Sequence, residues 1–473
     1  MKRLILTLIL SSSLFALEEG TFTGYQKAQQ ESESQSLSES YQYPLLKEIK
    51  APTKQKELSL QQQIVDYFGT FVNSSPYPGV RATFEGNELM ASLSNVNKDL
   101  QILLELENAN EFLAKSNIPY PKNPRIFMSG EIEFTGIIQR DATSHCQSDL
   151  DLTDTELDFL IVMTPWLYGF ISMEYENSVD PAFSNSRFAN SRMKGDSIFI
   201  TFGDLSWSPC YATIGQTYLP FGQYSTYDAI HDPLTKLLFR TIGRDVALGF
   251  FNNFLQASFF VLKGSSHTDS GNNVNNYGLN LGFHFNIKDL DGKVGGGLIR
   301  NIADSRGMQC VFGDPSNTEK LHHVVPGVNA NCNLTWKRWN LIGEYNQALR
   351  PFDLRDAAFS SNGTTFKGAR PIALDIELAY SFNTLKRPSS IGFSYSRSWD
   401  SLGFNMPKER MTLIGSCYIF RGNLLSLEFN SDKLYSKQNR AAGNIATGNP
   451  YYINPKNLGH RDYSFGIDYL FYF

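Results

Sequence analysis

From Arg125 to its C-terminus the chain is a succession of short runs in which apolar and polar positions alternate. IFMSGEIEFTGIIQR at 126–140 sets Ile126, Met128, Ile132, Phe134 and Ile138 on one face of an extended strand, and Ser129, Glu131, Glu133 and Thr135 on the other. YSFGIDYLFYF at 463–473 sets Tyr463, Phe465, Ile467, Tyr469, Phe471 and Phe473 against Ser464, Gly466 and Asp468. The same reading predicts strands near 155–164, 167–177, 196–206, 210–219, 243–251, 254–263, 276–288, 293–302, 326–336, 338–348, 369–382, 389–399, 409–420, 423–431 and 462–473, sixteen with the first.

Alternation of this kind suits a soluble antiparallel sheet as well as a membrane barrel, and the connectors separate the two. They are short after even-numbered strands (Pro165, 207–209, 252–253, 289–292, Lys337, 383–388, 421–422) and mostly long and polar after odd-numbered ones. Short periplasmic turns opposite long outer loops are the habit of outer-membrane barrels. Trp166, Trp207, Trp336 and Trp339 fall at the short turns and Trp399 at the opposite end, the interfacial positions that an amphipathic ring prefers. The aromatic last strand, ending on Phe473, resembles the closing strand of Gram-negative outer-membrane barrels, the strand offered to the barrel-assembly machinery. The expected fold class is therefore all-β: a transmembrane antiparallel β-barrel of about 16 strands over 125–473, set in outer-membrane lipid. Whether barrels associate as homo-oligomers is left open.

Residues 1–16 have Lys2 and Arg3, the apolar run Leu4 to Leu10 and a small Ala16, and read as a secretory signal peptide. Residues 17–71 are rich in Gln, Ser and Glu and are expected to form a low-complexity, disordered or frayed-helical periplasmic extension. Residues 72–124 contain a helix near 99–115, ended by prolines 119, 121 and 124, that precedes or enters the barrel. With 35 Phe and 23 Tyr, a mean hydropathy of only −0.28 fits strands that are half in lipid and half wet. A net charge of −5 without a basic stripe argues against a nucleic-acid partner. Five cysteines are too few for a disulfide scaffold; a bridge between outer-loop Cys146 and Cys310 and five unpaired thiols both remain open.

The inward parity is acidic. Glu131, Glu133, Glu156, Asp158, Glu174, Glu176, Glu344, Asp375, Glu377 and Glu428 are assigned to the lumen, which favours cations unless loops or the N-terminal segment supply bases. His284 is placed on a strand facing inward, as a hydrogen-bonded lumen residue. His322 and His323 point apart in extended chain, so no metal or other cofactor is expected there. VGGGL at 294–298 lacks the spacing of a phosphate loop, and no Ser/His/acid cluster is legible, so an enzyme is not expected. The third outer loop, 219–242, carries a turn at Pro220-Phe221-Gly222 and a short helix near 233–239; folded inward it constricts the pore, with Arg240 and Arg244 as candidate bases.

The signal peptide, the Gln-rich segment, NVNKDLQILLE before PRIFMSGEIEFTG, and GQTYLPFGQYSTYDAIHDPLT together resemble the LbtU family of siderophore porins, the group containing the legiobactin receptor. The resemblance spans most of the mature chain and implies a sixteen-strand barrel that imports a ferric siderophore; a general diffusion porin for small polar solutes is the alternative. Ferric carboxylate siderophores are commonly anionic, and an acidic lumen repels them unless Arg81, Lys98, Lys115, Arg240 or Arg244 compensates.

Overall fold

The computed structural model describes residues 96–115, 124–140, 146–153, 155–177, 191–264, 274–312, 320–385, 387–420, 423–443 and 458–472. The signal peptide, the Gln-rich extension and Arg81 lie outside these residues.

Helix α1 (Lys98–Lys115) precedes the sheet. The strands are β1 (Arg125–Arg140), β2 (Cys146–Leu152), β3 (Thr155–Thr164), β4 (Leu167–Asn177), β5 (Ser191–Gly203), β6 (Cys210–Tyr218), β7 (Ile242–Phe251), β8 (Leu255–Leu262), β9 (Asn276–Ile287), β10 (Leu290–Ile299), β11 (Gly327–Trp336) and β12 (Trp339–Ala348). They continue with β13 (Ala358–Ser360), β14 (Lys367–Gly368), β15 (Ile372–Thr384), β16 (Arg387–Trp399), β17 (Glu409–Phe420), β18 (Asn423–Lys433), β19 (Arg440–Ala442) and β20 (Arg461–Tyr472). Helices α2 (Leu234–Phe239) and α3 (Arg306–Phe312) interrupt the long loops.

Neighbours in the main sheet are antiparallel, and β20 pairs with both β18 and β1, so the sheet closes on itself. β1 pairs with β3 over Arg125 to Glu131 and with β2 over Phe134 to Arg140, making β2 and β3 two halves of one staggered strand and the barrel sixteen-stranded. This corrects the reading of Cys146 to Leu152 as loop: Leu150 and Leu152 take the outward parity against Gly136 and Phe134. Cys146 therefore begins a strand with a free, exposed thiol, and the Cys310 side chain lies outside the described residues.

The alternation in the sequence becomes the two faces of the wall. Phe465, Ile467, Phe134 and Ile138 stand 40–60% exposed on the outside, in company with Ile200, Leu248, Leu281, Ile376, Phe393, Leu413 and Phe429. An apolar belt of this extent is stable in hydrocarbon and not in water, and closure leaves no strand edge unpaired inside it; the barrel spans a bilayer. Trp166, Trp207, Trp336 and Trp339 are exposed at one rim, beside turns in which Lys288 and Lys337 hold positive φ. At the other rim β13, β14 and β19 form a small sheet joining two long loops. A core of Phe312, Phe352, Phe404 and Tyr435 packs these loops over part of the mouth.

Candidate functional site: a lumen filled from both sides

Loop 3, residues 219–241, leaves β6 at Tyr218 and returns to β7 after α2, and between them it lies against the inner wall. Its backbone explains why. A chain that leaves the sheet within a barrel must find acceptors for its N–H groups, and the wall presents carboxylates at that level. Glu344 on β12 accepts from the N–H of Gln223 (3.2 Å) and Tyr224 (2.5 Å), and Glu377 on β15 from that of Tyr227 (2.6 Å). Glu428 on β18 accepts from Ala229 and Ile230 (2.8 Å each) and from His231 (3.1 Å). Ser396 Oγ accepts the N–H of Leu234 at 3.3 Å and itself donates to Asp375. Arg410 grips Asp432 with two nitrogens and donates a third bond to the carbonyl of Asp232.

Two glycines make room for this seat. Gly222 has φ +93°, and a Cβ there would stand 2.5 Å from Glu344 Oε1, so both conformation and space demand glycine. In the VGGGL run Gly297 faces Phe221 of the loop, where a Cβ would come within 3.3 Å of the ring. The glycine run is thus wall that the loop packs upon.

The sequence reading of an acidic lumen changes accordingly. Glu344, Asp375, Glu377 and Glu428 do face inward, but they are buried at 0–3% exposure beneath loop 3 and engaged with its backbone or with Ser396. They do not line the open passage. Glu131, Glu133 and Glu174 lie half-buried on β1 and β4; Thr153 donates to Glu133 at 2.6 Å, and Lys194 pairs with Glu174 at 3.3 Å. Glu176 is on β4, with its side chain outside the described residues.

The opposite wall is covered by α1. Leu160, Val162, Tyr168, Phe170, Phe199 and Tyr211 turn inward from β3 to β6 and bury Leu100, Ile102, Leu103 and Leu106 of the helix. Such lumen positions break the polar rule for barrel interiors because a helix, not water, is their neighbour. Lys98 Nζ lies 3.2 Å from Glu156 and 5.0 Å from the ring centre of Phe170. Burial works against the Lys98 ammonium, but Glu156, Asp158 and Asp196 outweigh it and raise its pKa above the usual lysine range. Asp99 accepts from Thr213 Oγ1 at 2.7 Å, and burial pushes its pKa up. Just before the helix, Val96 joins the cluster formed by Tyr218, Leu219 and Phe221, so the helix segment and loop 3 meet inside the barrel.

Of the other candidate bases, Arg240 stacks its guanidinium 4.7 Å over the Tyr218 ring. Arg244 takes the outward parity of β7, shared with Val246 and Leu248, and is not a constriction residue. A strand reverses face at every residue, and the burial of Asp245 and Ala247 between exposed Arg244, Val246 and Leu248 settles the parity. The Lys115 side chain lies outside the described residues. His284 faces inward with its ring 6.0 Å from that of Phe251. His322 binds Asp356 at 2.7 Å and His323 binds the Pro351 carbonyl at 2.9 Å, each on its own.

No family model matches the chain. A UPF0422 protein of Coxiella burnetii (strain RSA 493 / Nine Mile phase I) is 30% identical over 387 residues, which cover 80% of this chain and 80% of that protein. The chain belongs to the UPF0422 family. A second UPF0422 protein, from Legionella pneumophila strain Philadelphia 1, is 30% identical over 415 residues, 85% of this chain and 76% of its own length. Among solved structures the chain is similar to the anion-selective porin from Comamonas acidovorans (TM-score 0.48, 10% identity, 74% of this chain and 100% of that one). It is also similar to the Salmonella typhi OmpF complex with daunomycin (TM-score 0.48, 11% identity, 75% of this chain and 99% of that one).

One arrangement in this UPF0422 chain was not legible in sequence. His231 Nδ1 lies 2.6 Å from Glu428 Oε1, and its Nε2 lies 3.1 Å from Ser464 Oγ on β20. Serine, histidine and carboxylate are in the order of a hydrolytic relay, drawn from positions 231, 428 and 464 with no local motif. The arrangement ties loop 3 to the wall: Glu428 is already committed to three backbone amides, and Ser464 is 6% exposed on a strand paired on both sides. Nearby, Asp228 accepts from Ser394 Oγ at 2.8 Å. Burial, then the charges of Glu428 and Asp375, push its pKa well above the usual carboxylate range.

Proposed function

We propose that this UPF0422 barrel is an outer-membrane channel that imports a ferric siderophore, with its N-terminal extension on the periplasmic side. The lipid-facing belt supports membrane passage, and the motifs around 95–135 and 215–235 support the siderophore class through their resemblance to LbtU-type porins. The observation that carries the reading is the fate of the wall acids. Glu344, Glu377 and Glu428 bind loop 3 and are covered by it, so the charge that would repel an anionic chelate is withdrawn from the passage. Loop 3 and α1 narrow the lumen from opposite walls, as a carrier of one solute class requires.

A general diffusion porin for small polar solutes is the second reading, favoured by the inward third loop, a plan common among general porins. Uptake of radiolabelled iron, as chelates and as free salt, in cells with and without the gene separates the two, together with planar-bilayer conductance of the purified protein. Uptake lost for one chelate class, with conductance that the chelate blocks, supports siderophore import. Large conductance without chelate preference overturns it.

A further inference from the structure

Lys293 turns inward from β10, directly across the ladder from His284 on β9. Its side chain is half-buried, and among the described residues no carboxylate pairs with it. An ammonium partly withdrawn from water without a counter-charge is costly, and Lys98, Lys194 and Arg410 each have one, in Glu156, Glu174 and Asp432. The nearest acid along its own strand face, Asp291, is two residues closer to the rim and exposed.

Two further groups point to a ligand at this place. Gln256 on β8 is 1% exposed, yet its amide Nε2 has no hydrogen-bond partner, and neither does His284 Nε2. The wall between them is open because it is glycine: Gly282 faces Gln256 on one side and Gly295 on the other, and a Cβ at 282 would meet Lys293 Cε at 3.4 Å and Gln256 Oε1 at 3.8 Å. Three neighbouring strands therefore deliver an ammonium, an amide N–H and an imidazole nitrogen to one small-walled recess. An ammonium and an amide N–H without acceptors, beside an imidazole nitrogen that donates in its Nε2–H tautomer, suit an oxyanion.

We infer that Lys293, Gln256 and His284 form an anion subsite of the lumen that holds a carboxylate or phosphate group of the transported solute. The inference deepens the channel reading and rests on it for the words "transported solute", whereas the subsite itself stands on the three side chains. It sits at the turn end of the barrel, three residues into β10, where a solute that has passed loop 3 would next dwell. Its ammonium supplies attraction, and the Gln256 amide with the Nε2–H tautomer of His284 supplies direction.

The test uses the purified full-length barrel. In a salt gradient across a planar bilayer, Lys293→Gln lowers the anion-to-cation permeability ratio by roughly fivefold and Lys293→Arg retains it. Equal ratios in the wild type and Lys293→Gln overturn the subsite while leaving the channel reading intact. The second measurement needs no conduction: the rate of Lys293 acetylation by acetic anhydride, read by mass spectrometry, with citrate, inorganic phosphate or neither present. Protection by citrate alone assigns the site to carboxylates, and protection by phosphate alone assigns it to phosphates. Rates unchanged by both overturn the proposal, even if labelled chelate is still imported.

Discussion

His231 Nδ1 rests 2.6 Å from Glu428 Oε1, a contact between loop 3 and a strand 197 residues further along the chain. The same carboxylate holds three consecutive backbone N–H groups, so one side chain fixes the path of the loop across the lumen. Glu428→Ala strands these donors at a cost on the order of 3 kcal/mol. The expected result is a larger and noisier single-channel conductance with the barrel still closed. Conductance equal to wild type would show that the loop is held by its other contacts alone.

Gly222 tests the other end of that path. Gly222→Val meets Glu344 within 2.5 Å and forces a β-branched residue to positive φ. Loop 3 leaves its seat on β12, and limited proteolysis of the refolded barrel then cuts between residues 219 and 241, where the wild type is protected.

Asp228 gives the loop a pH dependence. Its carboxyl pKa is raised in the folded state, by burial and then by Glu428 and Asp375, so folding favours its protonated form. The stability it contributes is complete below the ordinary carboxylate range near 4 and is lost as pH rises toward the raised value. Asp228→Asn, which cannot ionise and keeps an oxygen for Ser394, is expected to raise the unfolding temperature at pH 8 and to change it little at pH 4. The reverse order would refute the assignment.

Leu103 reports on α1. Leu103→Asp places an unpaired charge against Tyr211 and Phe199, which costs several kcal/mol and exceeds what the Lys98–Glu156 pair can retain. The helix is expelled from the wall and open-state conductance rises; Lys98→Met, which keeps the apolar fit, produces a smaller rise. Equal conductance in all three proteins would mean that current does not pass this side.

Ser464 separates latch from catalyst. A fluorophosphonate ester is expected to leave Ser464 unlabelled, and Ser464→Ala to loosen His231 without removing any hydrolytic activity toward short-chain esters. Stoichiometric labelling of Ser464 would establish the catalytic role instead.

Much of this architecture was legible in the chain itself. A strand in a barrel wall reverses its face at each residue and borders lipid on one side, so the parity of Ile467 or Phe134 is decided by local sequence, as are short turns such as Lys337 and the interfacial tryptophans. The strand β2 was not legible, because the alternation of Asp149 to Leu152 is only four residues long and follows a largely polar run, so it reads as the end of a loop. The inward direction of Glu344, Glu377 and Glu428 was readable as well, but their role was not.

Hydrophobic period determined the strands of the wall and which of their residues face the lumen. Only the tertiary structure decided what fills it. Loop 3 reaches its carboxylates through backbone N–H groups, which every residue but proline carries, so no side-chain motif announces the pairing of Tyr224 with Glu344 or of Ile230 with Glu428. Lys98 and Lys293 look alike in sequence as lone bases. The helix that brings one of them to Glu156, and the glycine wall that leaves the other alone, exist only once the barrel has closed.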